Sequence, residues 1–149
     1  MGLFDQVLDA QQSSVQAVLS PAEAFAAITL AAIASDGHLS EQELNGLITA
    51  LNRMRLYRSY TGDTMRQMFD KLFGILKHDG VGVLFNAAQD LLPKELQEAA
   101  FAVAVDLLMA DGQVSPEEKA FLEQLYNTLN IPEEKANKII EVMAIKNRG

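Results

Sequence analysis

Cysteine and tryptophan are both missing from the chain, and histidine occurs only twice, at His38 and His78. Without cysteine there are no disulfides, no thiolate zinc sites and no thiol nucleophile, a pattern that suits a reducing compartment. The two histidines lie far apart in sequence and share no His-Glu-x-x-His or comparable spacing, so a zinc site is not indicated. The pattern Gly-x-Ser-x-Gly is also absent, and neither histidine has a nucleophile motif to serve, so the chain reads as a non-enzyme. Basic residues are scarce: 12 Lys and Arg stand against 20 Asp and Glu, for a net charge of −8. Such a surface repels phosphate backbones and anionic lipid, which argues against nucleic acid as a partner and leaves cations and basic protein patches. The densest apolar run, Ala24 to Ala34, falls short of the roughly 18 residues that a membrane span needs and already contains Thr29. It is expected to be a buried helix rather than a membrane insertion.

What is present is apolar material in helical order. Hydrophobic residues make up 49% of 149 residues, enough for one compact all-α domain that buries roughly two-thirds of its unfolded surface. Apolar residues recur at helical period, and the four prolines, Pro21, Pro93, Pro116 and Pro132, all fall where a helix would start. About eight helices are predicted, over 2–18, 21–35, 41–54, 62–78, 81–91, 93–110, 116–129 and 132–146. The N-terminus has no basic segment followed by an apolar stretch, so no secretory signal is evident and a cytoplasmic location is expected. Gly2 is followed by Gln6 where a myristoylation signal expects Ser or Thr.

The most informative feature is an internal repeat. Asp36-Gly37-His38-Leu39-Ser40-Glu41-Gln42-Glu43 lies over Asp111-Gly112-Gln113-Val114-Ser115-Pro116-Glu117-Glu118. In the same register Glu23 meets Glu98, Ala24 meets Ala99, Ala27 meets Ala102, Leu47 meets Leu122 and Asn52 meets Asn127. The repeat halves, about 21–54 and 95–129, each read as an apolar helix, an Asp-Gly loop and an amphipathic helix. Residues 55–92 form an insert with its own core candidates, Met65, Met68, Phe69, Leu72, Phe73, Leu76, Leu84 and Phe85. The whole of 1–149 is read as a single domain, with the Ala-rich faces of the two first helices (Ala24, Ala27, Ala31 and Ala34; Ala99, Ala100, Ala102 and Ala104) at its centre.

Two readings of the loops stand side by side. The first is a cation site, because the pattern matches the second half of an EF-hand loop: the ligand at its fifth position (Asp36, Asp111), the glycine at its sharp turn (Gly37, Gly112), the ninth position (Ser40, Ser115) and the closing glutamate (Glu43, Glu118). The positions of the earliest EF-hand ligands are filled by Ala32 and Ala34, and by Leu107 and Met109. Neither loop builds a full cage alone, so a hard cation would draw on both. The second reading is capping: Ser40 with Glu43, and Ser115 with Glu118, have capping-box spacing, while Gly37 and Gly112 suit the left-handed residue that ends a helix. Capping leaves the two aspartates unexplained, since a carboxylate near a helix C-terminus opposes the dipole. Asp79-Gly80 lacks the rest of the pattern and reads as an ordinary helix stop.

At these loops the chain resembles the TerB-like family of tellurite-resistance proteins. The likeness rests on Ala34-Ser35-Asp36-Gly37-x-Leu39-Ser40-x-x-Glu43 and Met109-Ala110-Asp111-Gly112-x-Val114-Ser115-x-x-Glu118, each after an Ala-rich helix, and covers roughly residues 20–145. It implies helical hairpins with internal pseudo-symmetry, no catalysis, and a divalent-cation site of the calcium or magnesium class. Carried over by position, the acidic set is Asp36, Glu43, Asp111 and Glu118, joined by Asp106 one turn before the second loop. The repeat counterpart of Asp106 is Ala31, so the set is asymmetric. The resemblance also implies a bacterial stress system with a membrane protein as docking partner, which would hold the chain peripherally at the inner membrane. The alternative is a helical protein-interaction scaffold whose Asp-Gly-x-x-Ser-x-x-Glu loops are only helix caps.

Overall fold

Helix signals dominate the sequence, and the computed structural model is helical throughout the residues it describes, which are 19–34, 39–110 and 115–148, without the side chain of Glu117. Seven α-helices and one 3-10 turn occur among them, and no strand. The expected helix over 2–18 lies outside the described residues. The chain divides into two compact units, Met1–Pro93 and Lys94–Gly149.

In the first unit, α1 (Pro21–Ile33) begins with a capping box that the sequence reading overlooked. The Ser20 hydroxyl accepts from the Glu23 amide at 3.1 Å, and Glu23 Oε1 accepts from the Ser20 amide at 2.9 Å. Pro21 stands in the first turn, where its missing N–H has no helical partner. Every residue from Ala24 to Ile33 is buried, as the apolar run predicts. Thr29 is the one polar side chain among them, and its hydroxyl donates back to the carbonyls of Phe25 and Ala26. A polar group buried this way keeps a partner and avoids the desolvation penalty of an unmade bond.

Around α1 stand α2 (Glu41–Asn52), the 3-10 turn Arg55–Tyr57, α3 (Gly62–Asp79) and α4 (Val81–Gln89). The most extensive neighbour of α1 is α4, followed by α2 and α3. Helix α4 supplies Leu84, Phe85 and Ala88 to the core, and α3 supplies Met65, Met68, Phe69 and Leu72, a stripe at helical spacing. The other two core candidates of that segment, Phe73 and Leu76, are only half-buried. Gly80 at φ 94° ends α3 and starts α4, a backbone region open to glycine, so Asp79-Gly80 is the helix stop expected. Tyr57 ties the 3-10 turn to α1: its hydroxyl donates to the Ala22 carbonyl at 2.6 Å, and its ring meets Phe25 edge-on at 6.4 Å. Burial pushes the Tyr57 phenol well above its ordinary value, helped by the neighbouring Tyr60.

The second unit holds α5 (Lys94–Leu108), α6 (Pro116–Thr128) and α7 (Glu133–Lys146). Two ion pairs join α5 to α7, Glu98 with Lys135 at 2.8 Å and Asp106 with Lys146 at 3.1 Å. Because the pairs advance in the same sense along both helices, α5 and α7 run in the same direction, with α6 returning between them in sequence. The core here is Ala100, Phe101, Ala104 and Val105 against Leu122, Leu125 and Tyr126. Ala99 and Ala102, expected at the centre of the core, are half-buried; they lie on the other side of α5 from Ala100 and Ala104.

Two of the prolines sit elsewhere than in the first turn: Pro132 is the residue before α7, at ψ 140°, and Pro93 precedes α5. A φ fixed near −65° suits the extended entry residue as well as the first helical one. Helix α6 ends with Asn130 at φ 58°, the Ile131 amide bonding the Tyr126 carbonyl at 2.8 Å and the Asn130 amide that of Asn127 at 3.1 Å. This is a Schellman ending with asparagine in the left-handed place that glycine usually fills. Lys94 completes it by donating to the carbonyls of Leu129 and Asn130.

Candidate functional site

Of the five carboxylates that the sequence singles out, Asp36 and Asp111 lie outside the described residues, as do Gly37, His38 and Gly112. The other three are placed by identifiable local forces. Glu43 is the third residue of α2, where the Ser40 hydroxyl accepts from its amide at 3.0 Å and its Oε1 accepts from the Ser40 amide at 3.2 Å. Glu118 repeats this with Ser115, both bonds at 3.1 Å. Each glutamate thus satisfies an amide that the first helical turn leaves without a partner, and its charge lies at the positive end of the helix dipole.

Asp106 is differently employed. Its Oδ1 accepts from Lys146 Nζ at 3.1 Å and from Asn147 Nδ2 at 2.8 Å. The Asn147 amide also donates to the Met143 carbonyl at 2.9 Å, so this carboxylate anchors the C-terminal end of α7 to α5. An ammonium group on Oδ1 competes with any cation for the same oxygen. Among the described residues no three carboxylates or histidines gather into a group able to hold a metal ion. As a donor set, Glu43 and Glu118 fit a hard cation only through oxygens that their capping boxes leave over, and Asp106 fits it poorly. His78 is exposed in the last turn of α3.

Two clefts were not foreseen. The first unit has one of about 420 Å³, lined by Glu23, Ser59, Tyr60, Thr64, Gln67, Met68 and Lys71. Across it Lys71 Nζ reaches both oxygens of Glu23, at 3.2 and 3.1 Å. Burial alone would raise the Glu23 carboxyl, but the Ser20 amide and the Lys71 ammonium outweigh it and hold it below the ordinary glutamate value. The signal for Glu23 was available, since Ser20-Pro21-Ala22-Glu23 has the spacing of Ser115-Pro116-Glu117-Glu118. Lys71 had no such signal, being 48 residues away in sequence. The second unit has an apolar cleft of about 280 Å³, floored by Met109, Leu122, Tyr126 and Ile140 and edged by Lys119, Glu123 and Asn137.

No helix among the described residues is long and apolar enough to cross a membrane. Comparison of the chain with protein families, with curated proteins and with solved structures finds no match to any of the three.

Proposed function

We propose that this chain is a non-catalytic helical binding protein that acts by docking to another protein, in a stress-response role of the kind its resemblance to TerB-like proteins implies. The observation that carries the reading is the employment of its carboxylates. Glu43 and Glu118 cap helices, and Asp106 and Glu23 hold helices together through lysines. These groups build a scaffold. We also infer that the chain is a duplication of one helix, Asp-Gly loop and helix hairpin within a fold of eight helices. The matching Ser-x-x-Glu boxes at the starts of α2 and α6 support the duplication.

A second reading adds a divalent cation of the calcium or magnesium class at the acidic loops, neutralising part of their charge and favouring the docking-competent form. In its favour, each capping box uses a single oxygen of its glutamate, Oε1. The residues carried into this reading are Asp36, Glu43, Asp106, Asp111 and Glu118. The test is affinity capture from cell extract with and without chelator, comparing the natural chain with an Asp36→Asn/Asp111→Asn variant. Loss of the partner in chelator and in the variant supports the cation. Equal recovery in every arm leaves the scaffold reading alone, and no specific partner in any arm overturns docking. Calorimetric titration with calcium and with magnesium, checked by metal analysis of the purified protein, decides cation binding directly.

A further inference from the structure

The charge of the chain is unevenly spread. Although the sequence carries −8 overall, four of its five arginines fall within fourteen residues, at Arg53, Arg55, Arg58 and Arg66, with Asp63 the one acid among them. All four arginines are exposed. Arg66 pairs with Asp63 at 3.8 Å; Arg53, Arg55 and Arg58 make no ion pair among the described residues.

The backbone explains why they gather. Arg55–Tyr57 is a 3-10 turn, and the Arg58 amide closes it on the Arg55 carbonyl at 3.2 Å. In a 3-10 turn residues three apart eclipse one another, so Arg55 and Arg58 emerge on one ridge. Tyr57 turns the other way, buried on α1 through the Ala22 carbonyl. That anchor fixes the ridge in place. Directly after it come Ser59 and Tyr60, which line the cleft that continues with Thr64, Gln67 and Met68 and ends on Glu23, whose charge is met by Lys71. Two like charges held side by side on a fixed turn repel each other unless an anion lies across them.

We propose that this arginine ridge, with the adjoining cleft, is the docking surface for a short acidic peptide segment of a protein partner. The inference rests on the docking reading above and names the chemistry of the contact. A short segment is favoured over a membrane or a nucleic acid by the range of the forces. Screening confines an exposed charge to about 8–10 Å at physiological salt, so a few acidic residues on the ridge feel mainly the arginines. An extended polyanion or a lipid surface lies against the rest of an acidic chain and is repelled. Arginine suits the task, since its planar fork takes a carboxylate through two parallel bonds. The Ser59 hydroxyl and the Gln67 amide offer the segment further hydrogen bonds beside the ridge, whereas the Thr64 hydroxyl is engaged by Thr61 at the start of α3.

The test uses the full chain and a fluorescein-labelled hexaglutamate peptide, read by fluorescence anisotropy and by shifts of backbone amides. Saturable, salt-sensitive binding is expected, with the shifts concentrated between residues 53 and 71. Arg55→Glu/Arg58→Glu weakens it by about tenfold or more. Because both side chains are exposed, the variant keeps its helical circular dichroism, and the milder Arg55→Gln/Arg58→Gln variant gives a smaller loss in the same direction. Asp36→Asn/Asp111→Asn leaves peptide binding unchanged. The proposal is overturned if hexaglutamate fails to bind, if binding ignores the arginine changes, or if the natural chain sediments with phosphatidylglycerol vesicles through those arginines more tightly than it holds the peptide. The docking reading fails separately, when no specific partner is captured by the natural chain.

Discussion

Replacing Glu43 or Glu118 with glutamine separates capping from cation binding, because glutamine keeps the acceptor oxygen and loses only the charge. In α2 the Glu43 Oε1 to Ser40 amide bond is 3.2 Å, and in α6 the Glu118 bond is 3.1 Å. A hydrogen bond of this kind contributes about 0.5–1.5 kcal/mol net, and a carboxylate in the first helical turn adds about 0.3–1 kcal/mol through the dipole. Glu→Gln is therefore expected to cost only the dipole part, about 0.3–1 kcal/mol at half-buried Glu43 and Glu118 alike. Glu→Ala loses both contributions, roughly 1–2 kcal/mol, and Ser40→Ala or Ser115→Ala loses about 1 kcal/mol by removing the other half of the box. The assay is urea unfolding followed by far-ultraviolet circular dichroism, in chelator and again in excess calcium or magnesium. In chelator the order of stability should be natural chain, then Gln, then Ala. A Gln variant as unstable as the Ala variant would refute the capping argument, since the box would then depend on charge alone. A cation that binds the folded form raises stability by mass action. If an added cation stabilises the natural chain and not the Gln variants, the glutamates are ligands as well as caps.

Tyr57→Phe removes the bond to the Ala22 carbonyl and should cost about 1 kcal/mol in urea unfolding; no loss would mean that the 2.6 Å contact contributes nothing net. The same phenol, raised in the folded chain, makes stability fall as pH climbs above its ordinary value of 10.0, because the unfolded chain then releases a proton that the folded chain keeps; Tyr57→Phe should flatten that decline. Glu23 works in the opposite direction, since its folded value lies below 4.5. Its contribution is complete above that ordinary value and disappears as pH falls through the lower folded one, so Lys71→Met should shift acid unfolding to higher pH and lessen its dependence on Glu23→Gln. At the end of α6, Asn130→Gly should keep or raise stability, whereas Asn130→Ala should cost about 1 kcal/mol for its left-handed backbone; equal melting temperatures for the two would contradict that strain.

The helices of the described residues were legible in sequence because their ends are written in local chemistry. Glu41–Asn52, Gly62–Asp79 and Pro116–Thr128 each begin within a residue of the expected place, after Ser40, Thr61 and Ser115. What escaped depends on residues distant in sequence. The Tyr57 bond to Ala22 spans 35 residues and that of Lys71 to Glu23 spans 48, and no periodicity announces either. The 3-10 turn is three residues long, too short for any periodic signal. The arginine ridge escaped for another reason: a net charge averages over the chain and hides a local reversal of sign. For the candidate site, residue types alone could mark Asp106 as acidic, but not that Lys146 and Asn147 come back from the end of α7 to meet it.

A helix enclosed on every side, as α1 is from Ala24 to Ile33, has no permissive face. In an amphipathic helix roughly half the positions accept substitution freely, and random variation drifts there. Along α1 an added methylene at any alanine must displace a neighbour, because no rotation of the helix brings that position to water. A saturation library across 24–33 should therefore return small or isosteric replacements at consecutive positions, without the three-to-four-residue rhythm of tolerance that α3 would show. Its amides should likewise exchange with deuterium uniformly slowly, released only when the whole first unit opens.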